Sequence, residues 1–230
     1  MTILLIETSA RLCSVAISVD GMVVAERVDD SGRSHASLTA PFIRELLDEK
    51  GLKATDLDAV AVSSGPGSYT GLRVGVSTAK GIAFGAGIPL IGIGTLDILA
   101  EEATGLVSDG IRTIIPLLDA RRMEVFTASY SQEGRRLTEV RPEIVTEDSF
   151  AAEKSEGHVL YIGDAVEKCR SLLTREGDIL VQSTPIAATM ARLAEVAYKE
   201  KRFEDTAYFE PFYLKEFQAT VSRKNLFKQA

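Results

Sequence analysis

Two acidic residues stand where a carboxylate could take part in catalysis. Glu7 and Asp119 each follow an apolar run typical of a strand buried on both faces. Such a position holds a carboxylate firmly, and two of them could act together as acid and base. The alternative, which we favour, is that each caps its own turn or pairs with a nearby arginine: Arg11, Arg121 or Arg122.

A glycine-rich segment lies between a predicted strand and a predicted helix. Backbone N–H groups of such a loop could bind a phosphate at the start of the helix. The segment is neither a Walker loop nor a G-x-G-x-x-G motif, and Lys80 lies half a helix away. We favour a tight turn whose glycines let the following helix pack closely. Small residues spaced four apart support that interpretation: Gly71, Gly75 and Ala79.

Histidines and cysteines are few and widely separated. Cys13 and Cys169 have neither metal-binding spacing nor a disulfide framework, so we expect free thiols. Only Cys169, beside two basic residues, could have a lowered pKa. His35 precedes a predicted helix and His158 a predicted strand, and no catalytic triad is visible. From these residues we predict no metal site and no histidine- or cysteine-based catalytic residue, and we expect no cofactor.

The first half of the chain alternates strand and helix patterns. Asp20-Gly21 between two apolar runs predicts a hairpin. Predicted strands cover residues 3–6, 13–19, 22–27, 58–63 and 89–93. Apolar periodicity predicts helices over residues 37–50, 71–85 and 95–103, with Pro41 in or near the first turn of its helix.

The second half repeats this order, with Glu7 and Asp119 at equivalent places 112 residues apart. Predicted strands cover residues 112–118, 123–130, 137–140 and 159–162, and predicted helices cover residues 146–152, 165–173 and 185–201. The repeat indicates an α/β, actin-like duplicated fold of two βββαβα-type subdomains with mixed central sheets. We place the subdomains at residues 1–108 and 109–214, and a basic tail that could be flexible at residues 215–230.

Composition excludes several classes of protein. The 230 residues include 33 acidic and 26 basic ones, and a net charge of −7 gives no general attraction to nucleic-acid phosphates. Residues 81–96 form an uncharged run that is too short and too rich in glycine to span a bilayer. The first residues lack the basic start of a signal peptide. We expect a cytoplasmic protein without membrane contact.

Several segments resemble the TsaB family, formerly YeaZ. They are ILLIETS at residues 3–9 followed by CSVAIS at 13–18, SHAS at 34–37, GPGSYTGLRVGVSTAKGIAFG at 65–85, LLDARRMEVF at 117–126 and PFYL at 211–214. The resemblance implies an actin-like (ASKHA) fold. It also implies a dimerisation subunit of the bacterial machinery that makes N6-threonylcarbamoyladenosine beside the anticodon of certain tRNAs. The signature loop comprises Gly65, Pro66, Gly67, Ser68, Tyr69, Thr70, Gly71 and Arg73.

Two features expected of active relatives are missing. Actin-like kinases place Asp-x-Gly-Thr/Ser after the first strand, whereas residues 7–10 are ETSA and residues 119–121 are DAR. TsaD-like proteins carry two histidines, four residues apart, on the helix after the strand at 89–93. This chain has Thr95 and Leu99 there, which argues against metal-dependent proteolysis.

Two predicted helices carry more apolar residues than one inner face requires. The resemblance implies that they form a four-helix contact with a TsaD-type transferase, or with a second copy of the chain when that partner is absent. The alternative is that both helices pack only on the sheet and on a neighbouring helix. The predicted partner interface comprises Leu38, Phe42, Ile43, Leu46, Leu72, Gly75, Val76 and Ala79.

The leading hypothesis is a non-catalytic scaffold that activates a TsaD-type transferase. The resemblance adds a TsaE-type ATPase as a further partner and tRNA as an indirect one. The first alternative is an active phosphotransferase that binds ATP between its halves and uses Glu7 and Asp119. The second is a metalloprotease. All three share one fold, so the fold does not decide between them.

Overall fold

The first of two sheets is built from the N-terminal half. The structure is a computed structural model that describes residues 1–31 and 35–214. Its first five strands are β1 (Thr2–Glu7), β2 (Cys13–Val19), β3 (Met22–Asp29), β4 (Ala59–Gly65) and β5 (Leu90–Gly94), in the spatial order β3-β2-β1-β4-β5. Strand β1 is antiparallel to β2 and parallel to β4. The helices of this half are α1 (His35–Lys50), α2 (Tyr69–Ala86) and α3 (Thr95–Thr104).

The second sheet repeats the first in order and direction. Its strands are β6 (Ile111–Asp119), β7 (Glu124–Thr127), β8 (Arg141–Ile144), β9 (His158–Gly163) and β10 (Ile179–Gln182), in the order β8-β7-β6-β9-β10. Strand β6 is antiparallel to β7 and parallel to β9, as β1 is to β2 and β4. The helices are α4 (Ala151–Glu156), α5 (Val166–Leu173) and α6 (Ala191–Lys199). The predicted duplicated α/β fold is confirmed.

Glycines lie at the predicted hairpin turn and at the end of α2. Asp20 and Gly21 join β2 to β3 with φ angles of 47° and 74°, in the left-handed region that Gly tolerates best. Gly87, with a φ of 68°, ends α2 and donates its N–H to the carbonyls of Ala83 and Phe84. Pro41 lies within α1, in its second turn rather than its first.

In the second half, two predicted elements were misplaced and one strand was missed. The predicted strand at 137–140 is not a strand, and β8 follows it as an edge strand that accommodates Pro142, which has no N–H to donate. The predicted helix at 146–152 begins only at Ala151, because Thr146 and Ser149 close a hydrogen-bonded turn before it. The short edge strand β10 was missed.

The two halves exchange helices. Leu96, Leu99 and Ala103 of α3 pack in one apolar cluster with Ile114 and Leu160 of the second sheet. In the opposite direction, Ala191 and Ala194 of α6 pack against Ile3, Leu5 and Ile91 of the first sheet. Each sheet is therefore covered on one face by a helix from the other half.

Polar contacts reinforce this exchange through three acids of α3. Asp97 accepts a hydrogen bond of 2.8 Å from the Tyr130 hydroxyl and pairs with Arg136. Glu101 pairs with Arg192 of α6, and Glu102 accepts the Ser183 hydroxyl at 2.7 Å. These contacts tie the halves together across the molecule.

Some predictions fall outside these observations. Residue 34 of the SHAS motif and the predicted tail, residues 215–230, lie outside the described residues, and the subdomain boundary at residue 108 stays a prediction. Within the two ranges that the structure covers, none of the helices is long and apolar enough to cross a membrane.

Candidate functional site

The turn that follows β1 encloses the side-chain carboxyl of Glu7. Glu7, the last residue of β1, is fully buried, and its Oε1 accepts the backbone N–H of Ser9 at 2.5 Å. Its Oε2 has no hydrogen-bond partner among the described residues. Burial raises the pKa of this carboxyl from 4.5 to about 7, because desolvation disfavours the charged form more than the hydrogen bonds favour it.

The glycine-rich loop packs directly onto this turn. Ser68 donates its N–H to the carbonyl of Ser9 at 2.6 Å, and the Thr8 hydroxyl donates to the carbonyl of Gly71 at 2.8 Å. A Cβ at Gly67 would collide with the Ser9 carbonyl oxygen, and one at Gly71 would collide with that of Thr8. The glycines thus permit close backbone approach, which supports the tight-turn interpretation over a phosphate-binding one.

The start of α2 is capped by the chain itself. The Ser68 side chain accepts the N–H of Gly71 at 3.3 Å. A Cβ at Gly75 would collide with the Thr8 hydroxyl, so the row of Gly71, Gly75 and Ala79 faces the chain's own core. In the signature loop, Gly65, Pro66 and Gly71 are buried and Gly67 and Tyr69 half-buried, while Ser68, Thr70 and Arg73 are exposed.

A C-terminal segment, residues 204–213, crosses the outside of this loop. Phe212 donates its N–H to the Ser64 carbonyl at 2.7 Å, and Lys80 donates to the carbonyls of Ala207 and Phe209 at 3.1 and 2.9 Å. The segment and α2 enclose a cavity of about 310 Å³ lined partly by Arg73 and Tyr213. Lys80 therefore anchors the segment, a role that the sequence did not suggest because its partners lie more than 120 residues away.

The turn after β6 is open to solvent, whereas the turn after β1 is enclosed. Asp119, the last residue of β6, accepts the N–H of Arg121 at 2.8 Å and pairs with Lys168 of α5. Its own N–H donates to Asp164 at 2.8 Å, and burial raises the pKa of that carboxyl. Turn capping by Asp119 was predicted, but its cationic partner is Lys168 and none of the arginines considered.

Apolar side chains fill the space beside the two turns. Ala10 in the first turn and Ala120 in the second pack with the same cluster, which includes Leu118. Leu214, which follows the C-terminal segment, packs there as well. This packing leaves the two turns in contact with a common apolar core.

The histidines and cysteines serve structural contacts. His35 Nε2 lies 3.0 Å from the Leu12 carbonyl, and His158 Nδ1 lies 3.8 Å from Asp178. Cys13 and Cys169 are buried free thiols, and burial raises the pKa of both. The lowered pKa considered for Cys169 is not found, because desolvation of the thiol outweighs the nearby Lys168.

Residues that could form a metal site are dispersed. Thr95 and Leu99, at the positions where TsaD-like proteins carry histidines, are both fully buried at the start of α3. In the part of the chain that the structure describes, no three His, Cys, Asp or Glu side chains come together as candidate ligands.

Comparison with known proteins identifies the family. A family model described as "TsaD: tRNA N6-adenosine threonylcarbamoyltransferase" matches residues 27–222. The chain is 32% identical over 228 residues to the tRNA threonylcarbamoyladenosine biosynthesis protein TsaB of Escherichia coli, covering 94% of this chain and 95% of that protein. The chain belongs to the TsaB family.

Solved structures agree with this membership. YeaZ from Pseudomonas aeruginosa is 27% identical with a TM-score of 0.76, covering 93% of this chain and 99% of that one. An inorganic polyphosphate/ATP-glucomannokinase from Arthrobacter sp. strain KM has a TM-score of 0.50 at 10% identity, covering 87% and 98% of the two chains. The second comparison shows a shared fold alone.

In this TsaB-family chain, the side chains predicted to meet a partner lie inside. Leu38, Ile43, Leu46, Leu72, Gly75, Val76 and Ala79 are buried, and Phe42 is half-buried. Ile43, Leu46, Val76 and Ala79 pack with Leu4, Ile6 and Val62 of the first sheet, so the sheet itself covers the apolar stripes. The residue assignment needs correction, because a partner could reach these side chains only by unpacking the core.

The outer faces of the same two helices remain available for contact. On α2, Arg73, Ser77, Gly81 and Phe84 are exposed, and the Phe84 side chain is 83% accessible. On α1, the exposed residues include Ala40 and Arg44. Because α1 and α2 cover the same face of the sheet, their outer surfaces lie side by side.

Proposed function

We propose that the chain is a non-catalytic subunit that pairs with a TsaD-type transferase and activates it for tRNA threonylcarbamoyladenosine synthesis. The outer faces of α1 and α2 form the contact. A TsaE-type ATPase joins the complex, tRNA is engaged mainly through the partner, and the assembly works in the cytoplasm. Without the transferase, the same faces pair two copies of this chain.

The observation that carries the proposal is the packing around the turns after β1 and β6. Glu7 is enclosed by its own turn and by the docked glycine-rich loop. Ala10 and Ala120 pack into one apolar cluster beside those turns. A phosphotransferase would need both turns open toward a nucleotide, so this packing favours a scaffold.

Membership of the TsaB family indicates the biosynthetic pathway. The E. coli relative is named for tRNA threonylcarbamoyladenosine biosynthesis, and the matching family model is named for the transferase. Thr95 and Leu99 are fully buried and offer no imidazole, so proteolysis assisted by a metal at that helix is disfavoured.

Reconstitution tests the proposal. The TsaD-type and TsaE-type proteins of the same organism are mixed with tRNA and a supply of threonylcarbamoyl-adenylate, with and without this chain. We expect modification only when the chain is present. Full activity in its absence would refute the scaffold role.

A Glu7→Gln variant separates the scaffold from the phosphotransferase. The substitution preserves side-chain size but removes the carboxylate, so a scaffold retains its stimulation of the transferase. Calorimetry of the isolated wild-type chain with Mg-ATP is the companion measurement. Loss of activity in the variant, together with nucleotide binding by the isolated chain, would favour the phosphotransferase.

A further inference from the structure

The turn between β6 and β7 has an unusual backbone for its residue types. We call residues 119–124 the double-arginine turn. Arg121 and Arg122 have φ angles of 73° and 50°, in the left-handed region that L side chains disfavour. The turn between β2 and β3 meets a similar requirement with Asp20 and Gly21. Arginine at both positions costs backbone strain, which indicates that the two long side chains have a function.

The turn contains two arginines and two acids, Asp119 and Glu124, and neither arginine has an ion-pair partner among the described residues. Their side chains are exposed and make no hydrogen bond or ion pair with any other residue that the structure describes. Asp119 in the same turn is already paired with Lys168. Arg11 in the equivalent first turn pairs with Asp30. Among the described residues, the second turn therefore presents two unpaired guanidinium groups, whereas the arginine of the first turn is paired.

The backbone of this turn is fixed before any ligand binds. Ala120 donates its N–H to the Glu124 carbonyl at 3.1 Å, and Glu124 donates to the Arg121 carbonyl at 3.1 Å. Arg121 donates its N–H to Asp119 at 2.8 Å. Such preorganisation lowers the conformational entropy lost on binding.

The composition of the turn favours a polyanion over a protein surface. No large apolar side chain of residues 119–124 is exposed, whereas protein interfaces usually have an apolar centre. Arginine presents a planar fork of donors that fits phosphate oxygens. Because the chain as a whole carries −7, attraction to a polyanion would be confined to local basic sites.

We propose that the double-arginine turn binds backbone phosphates of RNA. This inference rests on the proposed function, which brings a tRNA to the complex, and goes beyond it by giving this chain a direct contact with that tRNA. Arg121 and Arg122 each contact a phosphodiester group, independently of base sequence.

The test measures tRNA binding by the complete complex as a function of salt concentration. The probe is an unmodified substrate tRNA, and the variant is Arg121→Gln/Arg122→Gln. Losing two phosphate contacts should weaken binding roughly tenfold at about 0.1 M salt and reduce the slope of log K against log salt by about 1.5. Modification should show a raised KM for tRNA with little change in kcat.

Two further variants define the specificity of the effect. Arg121→Lys/Arg122→Lys keeps both charges and should retain most of the salt slope. Arg135→Gln/Lys201→Gln removes two exposed positive charges elsewhere and should bind tRNA like the wild type. If this control loses as much tRNA affinity as the glutamine variant, the effect reflects net charge alone, and the assignment to the double-arginine turn is wrong.

The remaining outcomes are also decisive. Unchanged affinity and slope in the glutamine variant would overturn the proposal. If that variant instead loses the transferase or the ATPase on gel filtration, the turn contacts protein and the RNA assignment is wrong. If the wild-type complex is inactive, the proposed function is wrong, and this inference fails with it. That outcome is visible from the wild-type measurement alone.

Discussion

Glu7 and Asp119 end equivalent strands, and each accepts the backbone N–H of the residue two positions later. The duplication has preserved the turn and changed its surroundings. The Glu7 carboxyl is fully buried with Oε2 unpartnered among the described residues, whereas the Asp119 side chain is 47% exposed and pairs with Lys168. Burial therefore raises the pKa of the Glu7 carboxyl to about 7, whereas the Asp119 carboxyl lies at the surface beside Lys168.

The first prediction follows from the burial of Glu7. Its pKa is about 7 in the folded chain and about 4.5 when unfolded, so the folded state holds the proton more tightly. Stability from this group is present below about pH 4.5 and is lost as the pH rises through 7, amounting to about 3 kcal/mol. The Glu7→Gln variant lacks this pH-dependent loss of stability, because its side-chain amide does not titrate. Urea unfolding at pH 5 and pH 8 should show the variant gaining on the wild type with increasing pH, and a constant difference would contradict the buried-acid interpretation.

The equivalence of these acids was predictable from sequence, but their different environments were not. The apolar runs before Glu7 and Asp119 reveal the strands locally, as Asp20-Gly21 reveals its hairpin. Lys168 comes from a helix 49 residues after Asp119, and no local pattern connects them. The orientation of α1 and α2 was hidden for a related reason: apolar residues such as Leu46 and Val76 identify a face without identifying what covers it.

The second prediction concerns the close approach of the glycine-rich loop to the first turn. A Cβ at Gly71 would collide with the backbone carbonyl of Thr8, which cannot move without disturbing β1. Gly71→Ala should lower the free energy of unfolding by about 2–3 kcal/mol. Gly81→Ala in the same helix is the matched control, because its Cβ would meet nothing within 4 Å. That control should be stabilising by about 0.5–1 kcal/mol. Equal effects in denaturant unfolding would argue against the docked loop.

The third prediction concerns the contact of Asp97 with Tyr130 and Arg136 between the halves. Asp97→Ala leaves a largely buried tyrosine hydroxyl without its acceptor and should cost about 2 kcal/mol of stability, whereas Tyr130→Phe should cost about 1. The exposed Asp109 supplies the control, and Asp109→Ala should change stability by less than about 0.5 kcal/mol. A cost at Asp97 no greater than that of the control would show that this contact does not stabilise the pairing of the halves.

The last prediction locates the partner surface. Ser77 is exposed on α2 and also lines the cavity of about 310 Å³ beside the C-terminal segment, which has room for a longer side chain. Ser77→Arg should therefore leave stability within about 0.5 kcal/mol of the wild type while blocking entry into a packed four-helix contact. Ser108→Arg makes the same change at an exposed position outside the helices and should pair normally. Leu46→Glu and Val76→Glu are unsuitable probes, because each places a charge in the core and should unfold the chain. Co-purification with the transferase, together with a thermal unfolding curve for each variant, separates loss of contact from loss of fold. If folded Ser77→Arg still binds the transferase as tightly as Ser108→Arg does, the contact lies on another surface, and the outer face of α2 must be abandoned as its site.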